Sequence, residues 1–189
     1  MRRIAKLSAA LLTAAAIPLV AHAATIGGVQ YATQYDYNEF RQAHDGKVFR
    51  VEMFGNPFAS MAADDTARRL LPVMQAGKPR VKLTFTYDKP VEKQRPDYRL
   101  MVILDPANDL GGDSVCNGAM RHRPAVPGKV YVFGVYCRND LALSQTTAWV
   151  DASSPEDPQV AELFSQLFRT LFDDSPARVP QLGGGSGRQ

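Results

Sequence analysis

The sequence has few of the residues that build a catalytic or metal centre. Its 189 residues include three histidines, two cysteines and one tryptophan. It has no Gly-x-Ser-x-Gly elbow, no His-Glu-x-x-His helix, no Walker loop and no Gly-x-Gly-x-x-Gly turn. The chain therefore has none of these common motifs of hydrolases and nucleotide-binding proteins. We therefore expect no catalytic residue, no metal and no cofactor.

Neither sign of charge is in large excess. The chain has 22 basic and 19 acidic residues, and its first 23 residues hold three of the basic ones (Arg2, Arg3 and Lys6) and none of the acidic ones. The remainder carries 19 of each sign. A neutral domain offers little electrostatic attraction to nucleic acid or to an anionic membrane surface, so we expect neither as a partner.

The one long apolar run lies at the start, in MRRIAKLSAALLTAAAIPLVAHAAT. A basic start, an apolar stretch and the small residues of Ala21-His22-Ala23 are typical of a secretory signal peptide. The apolar stretch is shorter than the roughly 20 residues that span a bilayer, and no later segment could form a transmembrane helix. The pattern predicts a signal peptide over residues 1–23 and a periplasmic or secreted protein after cleavage near Ala23.

The rest of the chain is long enough for one domain with a proper core. We expect a single α+β domain over residues 24–175 and a flexible tail over residues 176–189, where QLGGGSGRQ has little to bury. The two cysteines, Cys116 and Cys137, form an even pair in an exported chain, which predicts a disulfide. Two buried free thiols or a metal-binding pair are the alternatives, and metal is disfavoured because neither His44 nor His122 has ligand spacing to the cysteines.

Five segments have the alternation or apolar content of strands: KVFRVEMF, RVKLTFTYDK, YRLMVILD, KVYVFGVYC and LALSQTTAWV. Two amphipathic helices accompany them. We predict that Asn56 caps the first of these helices and that Pro57 is its first residue, because both residue types favour those positions. Asp157 and Pro158 are predicted to start the last helix in the same way.

The order strand, helix, four strands, helix leaves most strands without the crossover that parallel pairing needs. The sequence therefore predicts an α+β two-layer sandwich. We expect a mainly antiparallel sheet of about five strands, with two amphipathic helices on one face and water on the other.

One connection, residues 106–128, is unusually long for a compact domain, and such loops are often functional. Oxygen ligands for Ca²⁺ could come from four residues at and after its start, Asp105, Asn108, Asp109 and Asp113, but their spacing does not match an EF-hand, and turn formation is the favoured interpretation. Arg121, His122 and Arg123 could bind an anionic group, although a solvated surface turn is the favoured interpretation.

FGNPF after the first predicted strand, together with YVFGVYCRNDLALSQTTAW near the end, resembles small exported proteins of uncharacterised families in Gram-negative bacteria. The resemblance implies an exported single domain and carries no catalytic residue. Our leading hypothesis is a non-enzymatic exported domain that binds an envelope protein or another cell-envelope partner. The alternatives are a small hydrolase acting on envelope polymers and a carrier of a small apolar ligand.

Overall fold

The computed structural model describes residues 24–89 and 96–176; the predicted signal peptide and the predicted tail from residue 177 onward lie outside them. The described residues form one sheet of seven strands, accompanied by four helices. The strands are β1 (Thr25–Ile26), β2 (Gln30–Tyr31), β3 (Val48–Phe54), β4 (Thr84–Thr86), β5 (Tyr98–Leu104), β6 (Lys129–Arg138) and β7 (Leu141–Asp151). The helices are α1 (Tyr37–His44), α2 (Ala63–Ala76), α3 (Gly112–Cys116) and α4 (Pro158–Leu171).

The sheet is mostly antiparallel, as predicted. Its order is β1-β7-β6-β5-β3-β4, and β2 also pairs with β7. β3, however, is parallel to both of its neighbours, β4 and β5. The prediction of about five strands was wrong because β1 and β2 have two residues each, too few to show a pattern. Helix α2 supplies the crossover that the parallel pair of β3 and β4 requires.

The predicted start of the first long helix was also wrong. Helix α2 begins at Ala63, so Asn56 is not its cap and Pro57 is not its first residue. The Asn56 side chain instead bonds within the preceding turn and to Thr66 of the helix. The last helix does start as predicted, with Asp157 at the cap position and Pro158 as its first residue.

The main core lies between the sheet and helices α1, α2 and α4. The apolar stripe of α4 is fully buried, as its spacing predicts: Val160, Leu163, Phe164, Leu167, Phe168 and Leu171. Gly134 of β6 lies directly beneath this stripe, where a Cβ atom would clash with Leu171 at 2.8 Å. The missing side chain thus lets α4 pack closely on the sheet.

A second, smaller core covers part of the opposite face, which the sequence predicts to be wet. Val115 and Cys116 of α3 pack there against Met101 and Ile103 of β5 and neighbouring side chains of β6. The two predicted amphipathic helices, α2 and α4, do share one face of the sheet, but the sequence did not predict α3 on the other face. None of the helices in the described ranges is long and apolar enough to cross a membrane.

Candidate binding face

The long connection between β5 and β6, called here the tethered loop (residues 106–128), leaves and rejoins the sheet at one place. The Arg123 amide donates to the Asp105 carbonyl at 2.6 Å, and the Ala107 amide donates to the Arg121 carbonyl at 3.1 Å. This place is the end of the sheet where the parallel strands β3 and β5 both finish. The two ends of the loop are thereby held together.

The middle of the tethered loop is fixed to the sheet by a disulfide between Cys116 and Cys137, as predicted. Their Cα atoms lie 5.7 Å apart, within the usual range for such a bridge. The Arg99 guanidinium donates to the Cys116 carbonyl at 2.5 Å, and the Asp113 carboxylate accepts from the Ala142 amide at 2.9 Å. The loop is an ordered cover over one face of the sheet.

The five polar residues singled out in this loop are not gathered into one site. Asp109 and Arg121 form an exposed ion pair at 2.9 Å, and Arg121 holds the pKa of Asp109 below its usual value. Asp113 is used in docking the loop, and His122 forms a backbone bridge at its base. Among the residues that the structure describes, no cluster of three or more His, Cys, Asp or Glu could hold a metal ion.

The fifth residue, Arg123, belongs to a different feature, called here the aromatic face: Arg123, Lys129, Tyr131 and Trp149. Tyr131 and Trp149 are direct partners across β6 and β7, on the side of the sheet that carries α3. Trp149 is 40% exposed. The Lys129 ammonium lies 5.0 Å above the Trp149 ring, and the Arg123 guanidinium lies 5.6 Å above Tyr131. Both distances are within the range of cation–π attraction.

Sequence reasoning missed the aromatic face because a β-bulge creates it. At the hairpin turn Arg138 pairs with Leu141. If this register continued along the strands, Tyr131 would lie opposite Ala148. An irregularity at Tyr136/Cys137 shifts the pairing by one residue and sets Tyr131 opposite Trp149. Because neighbouring strand residues point to opposite faces, the shift decides which side the tryptophan occupies.

Asp105, at the base of the tethered loop, is in an unusual environment. Its φ of 50° is left-handed, which is uncommon outside glycine, and it is 4% exposed. Its Oδ2 atom is buried without a hydrogen-bond partner in the described residues. Burial raises the pKa of this carboxyl, while Arg123 and His122 oppose the rise. Asp105 thus combines an uncommon backbone conformation with a poorly solvated carboxyl group, and its carbonyl accepts from the Arg123 amide.

His44 does not occupy a catalytic arrangement. Its Nε2 atom lies 3.3 Å from the hydroxyl of Tyr136, and its ring packs against Phe49, with centroids 4.0 Å apart, and against Phe40 and Tyr98. It is 3% exposed, and burial lowers its pKa to about 4. The imidazole is therefore neutral near pH 7 and serves the packing of the core.

A half-open cleft of about 250 Å³ lies at the same end of the sheet as Asp105. The turn after β3, the end of the tethered loop and the residues after β7 form its walls; they include Phe58, Ala125, Pro127 and Ser153. A carrier of an apolar ligand would enclose the ligand between helices and sheet. This cleft opens to solvent instead, and it does not favour that hypothesis.

No protein-family model and no curated protein matches the sequence. Among solved structures, a PelC dodecamer from Paraburkholderia phytofirmans is 14% identical, with a TM-score of 0.41 over 81% of this chain and 99% of that chain. A variant of the same PelC is 12% identical, with a TM-score of 0.39 over 79% of this chain and 96% of that chain. A likeness of this degree carries no argument about what the present chain binds or how it assembles.

Proposed function

We propose that this protein is an exported, non-enzymatic domain that binds a cell-envelope partner through the aromatic face. The observation that carries the proposal is the exposed Trp149, paired with Tyr131 and flanked by Arg123 and Lys129. Tryptophan, tyrosine and arginine are the residues most enriched among those that dominate binding energy at protein interfaces.

The surroundings of the aromatic face support a rigid binding surface. Tyr131 and Trp149 lie on the two longest strands, which pair with each other along their whole length. Arg123 is held through its backbone to Asp105, whose amide donates in turn to the Tyr131 carbonyl at 2.8 Å. Since little conformational freedom would be lost on association, such a surface suits a binding module.

Export is the second part of the proposal, and it is supported by the pattern of the first 23 residues and by the disulfide. Mass spectrometry of the protein recovered from the medium or periplasm of its host should show a chain that begins at Ala24. The same spectrum should show a mass two hydrogens below that of the reduced chain. An intact start in the recovered protein would contradict export by signal peptide.

Site-specific crosslinking tests the binding face. A photoreactive residue at position 149 should give a defined adduct in the cell envelope, whereas one at Val48, which is 57% exposed, should not. The Tyr131→Ala and Trp149→Ala variants should lose the partner while staying folded, since Trp149 is exposed and Tyr131 is only partly buried, outside both cores. Equal adducts at positions 149 and 48, or full partner recovery by both variants, would refute the proposal.

A further inference from the structure

Within residues 24–89 and 96–176, strand β4 ends the sheet on one side, and residues 82 and 83 form the segment that leads into it. Successive residues point their N–H and C=O groups alternately towards the sheet and towards the open edge. Thr84 donates to the Lys47 carbonyl at 3.0 Å, and the Lys82 carbonyl accepts from Gly46 at 2.5 Å. The even-numbered residues of this segment therefore face inward. The Leu83 carbonyl and the Phe85 amide therefore point to the open edge, while the Leu83 amide donates to the Val81 carbonyl at 2.9 Å.

Side chains at and just after the end of α2 form hydrogen bonds with these outward backbone groups. The Gln75 Oε1 atom accepts from the Phe85 amide at 2.7 Å, and its Nε2 atom donates to the Leu83 carbonyl at 3.1 Å. The Lys78 ammonium donates to the Val81 carbonyl at 3.1 Å. The outward Leu83 carbonyl and Phe85 amide are thus satisfied without a further strand, and the Val81 carbonyl accepts from Lys78 as well as from the Leu83 amide.

The Gln75 carboxamide reproduces the bonding of a strand residue. In a parallel ladder, a residue bonds to the two neighbours of the residue opposite it. Its carbonyl accepts from the amide of the following neighbour, and its amide donates to the carbonyl of the preceding neighbour. Gln75 does this around Thr84, accepting from Phe85 and donating to Leu83. A strand from another molecule would compete for the same two backbone groups.

We propose that Gln75, assisted by Lys78, is an edge guard that keeps β4 from pairing with the β4 edge of a second copy of this protein. Unpaired edges template association between chains, and natural proteins protect them with lysines or by covering them. A second copy is the relevant partner because it carries the same edge and is present at the same concentration. This role is independent of the aromatic face, which lies on β6 and β7.

The Gln75→Ala variant of the full chain tests the proposal. In dilute solution its Phe85 amide should exchange hydrogen roughly tenfold faster than in the native protein, because the hydrogen bond to Gln75 is lost. At high concentration the variant should sediment as a larger species than the native protein does, and the Phe85 amide should regain protection. Gln75→Glu, which keeps the acceptor for Phe85 but cannot donate to Leu83, should associate to an intermediate degree.

Gln166→Ala is the matched control, since the Gln166 side chain donates to Glu162 on its own helix. It should leave both sedimentation and Phe85 exchange unchanged. If Gln75→Ala only lowers the free energy of unfolding and sediments like Gln166→Ala at every concentration, Gln75 is a structural residue and the proposal is overturned. Association of both variants to the same degree would also overturn it.

Discussion

At the scale of single residues, Asn56 makes three hydrogen bonds in the turn before α2, although it is not the helix cap that the sequence predicts. Its Oδ1 atom accepts from the Phe58 amide at 3.1 Å and from the Thr66 hydroxyl at 2.9 Å. Its Nδ2 atom donates to the Met61 carbonyl at 2.7 Å. One side chain therefore closes the turn after β3 and holds the first turn of α2 to it.

We expect Asn56→Ala to lower the free energy of unfolding by about 2–3 kcal/mol, since each lost hydrogen bond costs about 1 kcal/mol. The loss includes the partner of Thr66, whose side chain is completely buried. Urea unfolding followed by circular dichroism measures it. Asp157→Ala is the control, because water can replace the two hydrogen bonds that its carboxylate accepts from the amides of Ser153 and Ser154 in a surface turn, so this variant should lose only about 1 kcal/mol. Equal losses in the two variants would contradict the special role of Asn56.

At the scale of elements, α4 is the helix on which the main core depends. Phe164 and Phe168 are completely buried, and Phe168 contacts the ring of Phe85 on β4 with centroids 5.2 Å apart. Phe164→Ala or Phe168→Ala should lower the free energy of unfolding by about 3–5 kcal/mol, because each leaves a large cavity. Arg169→Ala on the exposed side of the same helix should change it by less than about 0.5 kcal/mol. Losses below about 1 kcal/mol for the phenylalanines would mean that this side of α4 is not core.

The tethered loop is an element held by several kinds of contact, of which the disulfide is one. The Cys116→Ala/Cys137→Ala variant should be about 3 kcal/mol less stable, because the bridge restricts a loop of roughly 20 residues in the unfolded chain. Hydrogen exchange should rise first in α3, while β5 stays protected, because the larger core lies on the other side of the sheet. Exchange that rises equally in α3 and β5 would show that the loop and the sheet open as one unit.

The elements that the sequence predicts well are those with long repeating patterns. The stripe of α4 and the alternation of Val81, Leu83 and Phe85 are found as predicted, because burial on one face leaves a periodic trace. In the β6–β7 turn Asn139 has a φ of 56°, a conformation that asparagine adopts more readily than most residues. The start of α2 was missed because Asn-Pro favours turns as well as helix starts, and only the contact with Thr66 distinguishes the two.

The candidate site was less predictable, because it depends on register and on contacts distant in sequence. The sequence indicates the tethered loop and its disulfide, but it does not indicate that Arg123 meets Tyr131. The pairing of Tyr131 with Trp149 requires a bulge whose position has no clear mark in the strand pattern. Parallel pairing of β3 and β5 likewise joins segments that are separated by a helix and another strand.

At the scale of the whole molecule, a polar and aromatic cluster joins α1 and α4 to the sheet. The Arg138 guanidinium donates to both oxygens of Glu39, at 2.8 and 3.0 Å, and Tyr98 donates to the same carboxylate. Phe40 of α1 stacks on Phe172, just beyond α4, with centroids 4.3 Å apart. His44 of α1 lies within this cluster and packs on Phe49 and Tyr136 of the sheet. Its protonation state therefore affects the contact between α1 and the sheet.

His44 makes the stability of the fold depend on pH. Burial, and secondarily Lys47, lowers its pKa from 6.5 in the unfolded chain to about 4 in the folded protein. Between these values the unfolded chain binds more protons than the folded protein does. The free energy of unfolding should therefore be undiminished above pH 6.5 and fall by up to about 1.4 kcal/mol per unit as the pH is lowered towards 4. Urea titrations at a series of pH values measure this slope.

The His44→Phe variant isolates this contribution, because a second buried group acts in the opposite sense. The pKa of Asp105 is raised in the fold, so acid favours the folded protein through that carboxyl, in both the native protein and the variant. Subtracting the variant's pH profile from the native one leaves the contribution of His44. The difference should fall steadily from pH 6.5 to 4.5, a range that lies largely above the titration of ordinary carboxylates. Parallel profiles would mean that water or a counter-charge reaches His44, and that the contact between α1 and the sheet is looser than its aromatic packing implies.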